Sequence, residues 1–170
     1  MRDAVRSRSP SPDAAAALHC RPVDGPGELA VHHAVRAAVF VDEQALFALD
    51  DRDARDDDPA TVHVLGFVGG VAAGTVRLHP LGGGLWQGDR LAVLRPHRRS
   101  GIGRPLVRFA VATAAQRGGR RMDAQVQAAN VTFFQALGWT AVGDPHDHLG
   151  LLHQRMTIAL EAQDQRAQAR

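Results

Sequence analysis

Residues 97–107 read HRRSGIGRPLV, with three arginines and two glycines at the start of an apolar run. Two glycines, Gly101 and Gly103, flank one apolar residue where an amphipathic helix is predicted to begin. Glycine lets the backbone approach a ligand closely, and the first turn of a helix presents unpaired N–H groups at its positive end. The stretch therefore predicts a turn that binds a phosphate group.

Two common phosphate-binding motifs fit this stretch poorly. A nucleotide P-loop requires Lys and Ser or Thr after its last glycine, where this chain has Arg104 and Pro105. A dinucleotide-binding fingerprint needs a third glycine where Leu106 stands, and it normally opens the domain. The surrounding elements must therefore decide what kind of turn this is.

Strands and helices are predicted to alternate along the chain. Apolar patterning predicts strands at 18–22, 61–68, 71–79, 85–94, 122–127, 139–142 and 151–160, with a hairpin at Gly69–Gly70. Helical spacing predicts helices at 28–41, 102–116 and 130–137. This order indicates an α/β (α+β) fold, a mixed twisted sheet of about seven strands with helices on both faces.

Composition is typical of a globular protein. The 170 residues are 45% hydrophobic, and no apolar run approaches the ~18 residues of a membrane span. We expect one domain over residues 17–160, with a disordered tail at 1–16 and a polar tail at 161–170.

All 20 basic residues are Arg, but the formal net charge of +2 gives little support for a nucleic-acid partner. The lone Cys20 and the lack of a secretory signal favour a cytoplasmic setting.

Residues 98–103, RRSGIG, match the [Q/R]xxGx[G/A] signature of the GNAT superfamily of acyl-CoA-dependent N-acyltransferases. The downstream segment NVTFFQALGW resembles the asparagine and FYxxLGF segment of that family, and the resemblance covers roughly residues 17–160. RAAVFVDEQ (36–44) is similar to the RxxVFxxEQ segment of a subgroup related to acyl-homoserine-lactone synthases. The longer run VFVDEQ…DDRD…GTVRL…GDRLAV also resembles acetyltransferases of bacterial nitrogen-metabolism gene clusters.

The resemblance implies a site for acetyl-CoA between strands 86–94 and 122–127, without a metal. Backbone N–H groups of the turn would hold the pyrophosphate, and one N–H on the preceding strand, that of Val93, would stabilise the oxyanion. Asn130 would contact the pantetheine arm or serve as a helix N-cap. The implied cofactor-binding residues are Leu91, Ala92, Val93, Arg98, Arg99, Ser100, Gly101, Ile102, Gly103, Asn130, Phe133 and Phe134.

Acyl transfer to an amine needs a general base, because an ammonium ion has no lone pair. Glu43 is the first candidate, Asp89 the second, and His153 an alternative acid or base. Arg36, Phe40 and Glu43 are the expected substrate-binding residues. Arg36 is predicted to orient Glu43, to bind an acidic group of the substrate, or to form a structural ion pair.

Phe134 departs from the family pattern, because many members have a tyrosine there that protonates the departing thiolate. A thiol with a pKa of ~8.5 leaves readily as a thiolate, so water can supply its proton without an acidic side chain. We expect an N-acetyltransferase that transfers acetyl directly to a small-molecule amine. A coenzyme A-binding sensor and an acyl-homoserine-lactone synthase remain alternatives.

Two clusters of polar residues carry weaker expectations. His146, His148 and His153 lack the spacing of a zinc site, so no metal is predicted. Six Asp among residues 50–58 lack a calcium-loop pattern, and we expect a solvated loop that could steer a cationic amine. The expected partner is the amine alone, with no nucleic acid and no membrane, and a homodimer is left open.

Overall fold

The computed structural model describes residues 16–161, so the tails predicted at 1–16 and 161–170 lie almost wholly outside the described residues. The helices are α1 (Gly25–Ala37), α2 (Gly103–Gln116) and α3 (Val131–Gln135). The strands are β1 (Leu18–Pro22), β2 (Val62–Val68), β3 (Val71–Gly82), β4 (Leu85–Val93), β5 (Arg121–Gln127), β6 (Thr140–Ala141), β7 (His146–His148) and β8 (Leu151–Ala159). None of these helices has the length and hydropathy to cross a bilayer.

All eight strands form one mixed sheet, which confirms the predicted fold class. The order is β1-β2-β3-β4-β5-β8-β6, and β7 pairs with β8 as well. Every pairing is antiparallel except that of β4 with β5. Seven strands were predicted, and the additional strand is β7. Residues 146–148 were expected to form a loop, but they pair with residues 151–153.

Helix α2 covers one face of the sheet and supplies the main apolar core. Val64, Val76 and Leu78 pack there with Ile102 and Leu106 of the turn and helix. A Cβ atom at Gly66 would lie 2.9 Å from the Ile102 side chain, so glycine at that position lets the helix lie close to the sheet. Burial of this apolar face fixes α2, and with it the turn that precedes the helix.

Helix α1 covers the opposite face, where buried charge replaces part of the apolar core. Side chains alternate across a strand, so Thr75 and Arg77 of β3 face away from Val76 and toward α1. Both are buried, as are His32 and Arg36 of α1. The charged side chains of this face are paired, as described below.

The end of α1 differs from the prediction of one helix over 28–41. After Ala37 the chain continues as a π-helical segment, Ala38–Glu43, in which the Gln44 N–H donates to the Val39 carbonyl at 2.9 Å. Such segments often occur at functional sites. Here the segment packs Val39 and Phe40 against Ala92 of β4.

Candidate active site

The two parallel strands separate to open a cavity of about 290 Å³. Strands β4 and β5 are paired only at Leu85–Gln87 and Arg121–Asp123, and beyond these residues they diverge. The later residues of β4 therefore have no partner strand on that side. The strands predicted to flank the cofactor do separate, and the cavity between them is lined from both.

A β-bulge bends β4 at the cavity. The pairing with β3 shifts register between Thr75 and Arg77, and Arg90 adopts a φ of 52°, which is unusual for a residue other than glycine. The Arg90 guanidinium is held by Asp51 and lies 5.2 Å from the Phe47 ring centroid. These contacts hold the strained backbone in place, so the separation of β4 from β5 is built into the fold.

The turn that follows β4 leaves alternate backbone amides free. The Ser100 N–H donates to the His97 carbonyl, and the Ile102 N–H lies 3.2 Å from the Ser100 hydroxyl oxygen. Within residues 16–161, the N–H groups of Arg99, Gly101 and Gly103 have no protein acceptor. Three free amides at the start of a 14-residue helix form an arrangement that can bind a phosphate.

The conformation of the turn depends on its glycines. Gly101 has a φ of 85°, in the left-handed region that glycine adopts without strain. Ile102 is fully buried and anchors the turn in the core, so its predicted cofactor contact could only be made by the backbone. A Cβ atom at Gly103 would lie 3.6 Å from Phe133, which places that aromatic ring beside the turn.

Glu43 lies at the turn and does not line the cavity. Its carboxylate accepts a hydrogen bond from Arg98 at 2.6 Å, and Arg95 is 3.8 Å away. This corrects the prediction that Glu43 is positioned in the acceptor pocket as the first candidate base. Because Arg98 is paired with Glu43, its guanidinium must release that carboxylate before it can bind a phosphate. The exposed Arg99 side chain has no partner among the described residues.

His153 of β8 lines the cavity beside β5. Its Nδ1 lies 2.9 Å from the Leu151 carbonyl oxygen, and its ring packs edge-on against His148. A ring nitrogen at that distance from a carbonyl donates its proton, so the neutral imidazole keeps a lone pair on Nε2. This is the tautomer that a general base requires.

Asp89 also lines the cavity, but both of its oxygens are engaged. The Arg77 guanidinium donates to Oδ1 and Oδ2 at 2.7 Å each. The bidentate pair fixes the carboxylate toward β3. Asp89 is therefore less free than His153 to accept a proton.

The Arg36 side chain is completely buried and does not reach the cavity. Its guanidinium donates to Asp51 at 2.7 Å and to Asp56 at 2.5 Å. The predictions that Arg36 binds substrate or orients Glu43 are therefore wrong. Of the three alternatives, the structural ion pair remains, with partners that the sequence did not indicate. Phe40, the neighbouring substrate-binding candidate, does line the cavity.

The acidic segment 50–58 is not simply the solvated loop that we expected. Asp51 and Asp56 are buried against Arg36, while Asp53 caps a short 3₁₀ turn and pairs with Arg77. Burial tends to raise the pKa of Asp56, but hydrogen bonds from Arg36 and the backbone, with the charges of Arg36 and Arg77, hold it well below its usual range. Three of the segment's six carboxylates thus pair with the buried guanidinium groups of Arg36 and Arg77 and contribute little to steering.

The remaining cofactor candidates lie around the cavity in different ways. Asn130 holds the N-cap position of α3, but its side chain makes no capping hydrogen bond, which leaves it free at the cavity wall. Phe134 is buried and packs edge-on against Trp139 at 5.3 Å. Of the three β4 candidates, Leu91 lines the cavity, and Ala92 and Val93 pair with Thr75 and Gly74 of β3.

Residues of the cavity wall that the sequence did not mark as site residues include Gln44, Gln127 and Trp139. Gln127 donates to Gln44 at 3.0 Å, which ties the π-helical segment to β5. Trp139 is buried, and its indole N–H has no partner among the described residues. Trp139 belongs to the FFQALGW segment. A buried indole N–H usually finds a hydrogen-bond partner, so this tryptophan could have been marked as a site candidate from the sequence.

A mixed sheet whose parallel strands separate next to a glycine-containing turn and helix defines this protein as a GNAT-type acyltransferase. A family model for the acetyltransferase (GNAT) family matches residues 28–139, and the chain belongs to that family. It is accordingly an N-acyltransferase, of a family that uses acyl-CoA.

Known structures share the fold at low sequence identity. An inferred N-acetyltransferase from Lactobacillus plantarum has a TM-score of 0.76 at 24% identity over 85% of this chain and 99% of its own. Escherichia coli ElaA gives 0.73 at 20% identity, over 83% and 99%. BjaI, a CoA-dependent acyl-homoserine lactone synthase, gives 0.65 at 20% identity, over 78% and 75%.

Proposed function

We propose that this protein transfers an acetyl group from acetyl-CoA to the amine of a small molecule by direct attack in a ternary complex. The observation that carries the proposal is the cavity between β4 and β5, which is lined by a histidine with an available lone pair and belongs to the same strand, β4, that leads into the turn with its free amides. Diphosphate would bind the amides of Arg99, Gly101 and Gly103. The pantetheine arm would extend along the unpaired edge of β4.

In this proposal, His153 Nε2 accepts the proton that the acceptor's ammonium group must lose. The freed lone pair forms a bond to the thioester carbon, and a backbone N–H of β4, for which Val93 is our candidate, donates to the oxyanion. Collapse of the tetrahedral intermediate then breaks the carbon–sulfur bond, and the nitrogen of the new amide releases its second proton to water or to the departing thiolate. Because Phe134 has no acidic proton, the thiolate leaves as an anion, or takes a proton from water.

The single cysteine supports direct attack over a thioester intermediate on the enzyme. Cys20 is the only cysteine of the chain, and it does not line the cavity. Burial raises the pKa of its thiol to about 11, so little thiolate forms at neutral pH. The acyl group therefore has no cysteine near the cavity to which it could be transferred first.

Thiol release tests this function. We expect purified protein and acetyl-CoA to release thiol only when an amine is added, and mass spectrometry to find the acetylated amine in equal amount. Initial rates with both substrates varied should give intersecting double-reciprocal lines. Binding of acetyl-CoA without turnover across a broad amine panel would instead favour a sensor, and a product that requires S-adenosylmethionine would favour a lactone synthase.

A further inference from the structure

Three histidines converge on the α1 face of the sheet, outside the cavity. His32 and His33 belong to α1 and His63 to β2, and one ring nitrogen of each lies within 4.8 Å of one from each of the others. The His32 side chain is fully buried, and those of His33 and His63 are 16% and 11% exposed. None of the three is used by the proposed reaction.

Each of these rings has a buried nitrogen with no hydrogen-bond partner among the described residues. The nitrogens are Nδ1 of His32, Nε2 of His33 and Nδ1 of His63. Buried polar atoms in folded proteins almost always have partners. Three unpartnered nitrogens in one small cluster therefore indicate a missing ligand.

Two backbone carbonyls fix the protonation of the cluster. His32 Nε2 lies 3.4 Å from the Val76 carbonyl oxygen, and His63 Nε2 lies 3.3 Å from that of Asp56. If each Nε2 donates its proton to the carbonyl, Nδ1 keeps the lone pair. The same arrangement orients histidines that bind metals in other proteins.

The surrounding charges favour a cation. Asp56 Oδ1 lies 3.7 Å from His33 Nε2 and 3.9 Å from His63 Nδ1. In the buried network beside the cluster, four carboxylates face three guanidinium groups: Asp51, Asp53, Asp56 and Asp89 against Arg36, Arg77 and Arg90. Arg52 is the other cation near His33, and its side chain is 48% exposed.

We propose that His32, His33 and His63 form a binding site for a divalent transition-metal ion, Zn²⁺ above all, with Asp56 Oδ1 as the adjacent fourth ligand. Imidazole nitrogens suit zinc, nickel and copper, whereas magnesium and calcium prefer oxygen ligands. The carboxylate oxygen has lone pairs for both the metal and its hydrogen bond from Arg36. The site would tie α1 to β2 and thereby stabilise the fold.

Protonation and geometry are both compatible with this site. Burial, with the charges of His63 and Arg36, lowers the pKa of His32 to about 3, and burial foremost also lowers those of His33 and His63. All three are then neutral at neutral pH, the form that binds a metal. The three nitrogens lie within 4.8 Å of one another. Tetrahedral zinc, with bonds of about 2.0–2.1 Å, requires them to move closer together, and rotation of the partly exposed His33 and His63 side chains provides that movement.

Calorimetry on the full chain without an affinity tag, stripped with chelator, tests the proposal. We expect one Zn²⁺ to bind per chain at neutral pH and to raise the melting temperature. His33→Gln should weaken binding by at least about tenfold. His146→Gln is the matched control, because His146 lies in the surface HDH segment, and it should bind Zn²⁺ as tightly as the wild type does.

The proposal fails if the wild type binds no Zn²⁺, if folded His33→Gln binds it unchanged, or if His146→Gln is the variant that loses binding. Nitrogen-15 spectra of histidine-labelled wild type provide a second measurement that needs no substitution. Added Zn²⁺ should shift Nδ1 of His32 and His63. Shifts confined to His146 and His148 would overturn the assignment, and so would water as the only partner of these nitrogens in a crystal grown with Zn²⁺.

Discussion

Replacing His153 by glutamine is expected to lower kcat by about 10²–10⁴-fold, the usual contribution of a general base. Glutamine can still donate a hydrogen bond to the Leu151 carbonyl, but it has no basic lone pair to accept the ammonium proton. Affinity for acetyl-CoA should change little, because the thioester carrier is bound elsewhere. Steady-state rates with a confirmed acceptor and calorimetry with acetyl-CoA measure the two effects separately.

The control for this variant is His146→Gln. His146 is exposed on β7, pairs with His153 in the sheet register and does not line the cavity, so its rates should equal those of the wild type. If His153→Gln kept the wild-type kcat, His153 would not be the general base, and Asp89 would take its place as the candidate.

Replacing Arg36 by leucine is expected to lower the free energy of unfolding by about 3–5 kcal/mol, the usual result of removing one partner from a buried ion pair. The substitution leaves the buried carboxylates of Asp51 and Asp56 without their main cation. Asp56 would keep only its existing ion pair with Arg77, which Asp53 and Asp89 share. Urea unfolding followed by circular dichroism measures the change.

Arg55→Leu is the matched control for Arg36→Leu. Arg55 lies in the same acidic segment, but its side chain is 45% exposed and pairs with the exposed Asp58 at 3.6 Å. Exposed pairs contribute about 0–1 kcal/mol, so this variant should unfold almost as the wild type does. Equal stability of the two variants would show that the buried network does not stabilise the fold as described.

Local sequence patterns were enough to predict most of the fold. Apolar patterning and helical spacing placed β2, β3 and α2 to within a few residues, because each is a largely apolar run that ends at glycine or a turn. The turn RRSGIG was also predicted from local features. The π-helical end of α1 was not, because the apolar spacing of VFVDE fits an α-helix as well as a π-helix.

The site was less predictable because its residues meet across long stretches of chain. Arg36 bonds to Asp51 and Asp56, 15 and 20 residues away, and a segment with six Asp looks solvated until those partners are known. Glu43 is turned toward Arg98 by contacts that no spacing rule describes. His153 reaches the cavity only because β8 returns beside β5.

We propose that the diphosphate of acetyl-CoA binds the main-chain amides of the turn, and calorimetry of acetyl-CoA with Gly101→Val measures the effect of disturbing those amides. Valine at a φ of 85° strains or rearranges the turn, at a cost of about 1–3 kcal/mol, equivalent to roughly ten- to a hundredfold weaker binding. Gly143→Val is the matched control, because Gly143 also has a positive φ, of 70°, in open space and outside the cavity wall.

We expect one acetyl-CoA bound per wild-type chain, at least about tenfold weaker binding by Gly101→Val, and unchanged binding by Gly143→Val. Acetyl-pantetheine, which lacks the diphosphate, should bind wild type and Gly101→Val equally weakly. Wild-type affinity for acetyl-CoA in a folded Gly101→Val protein would contradict the claim.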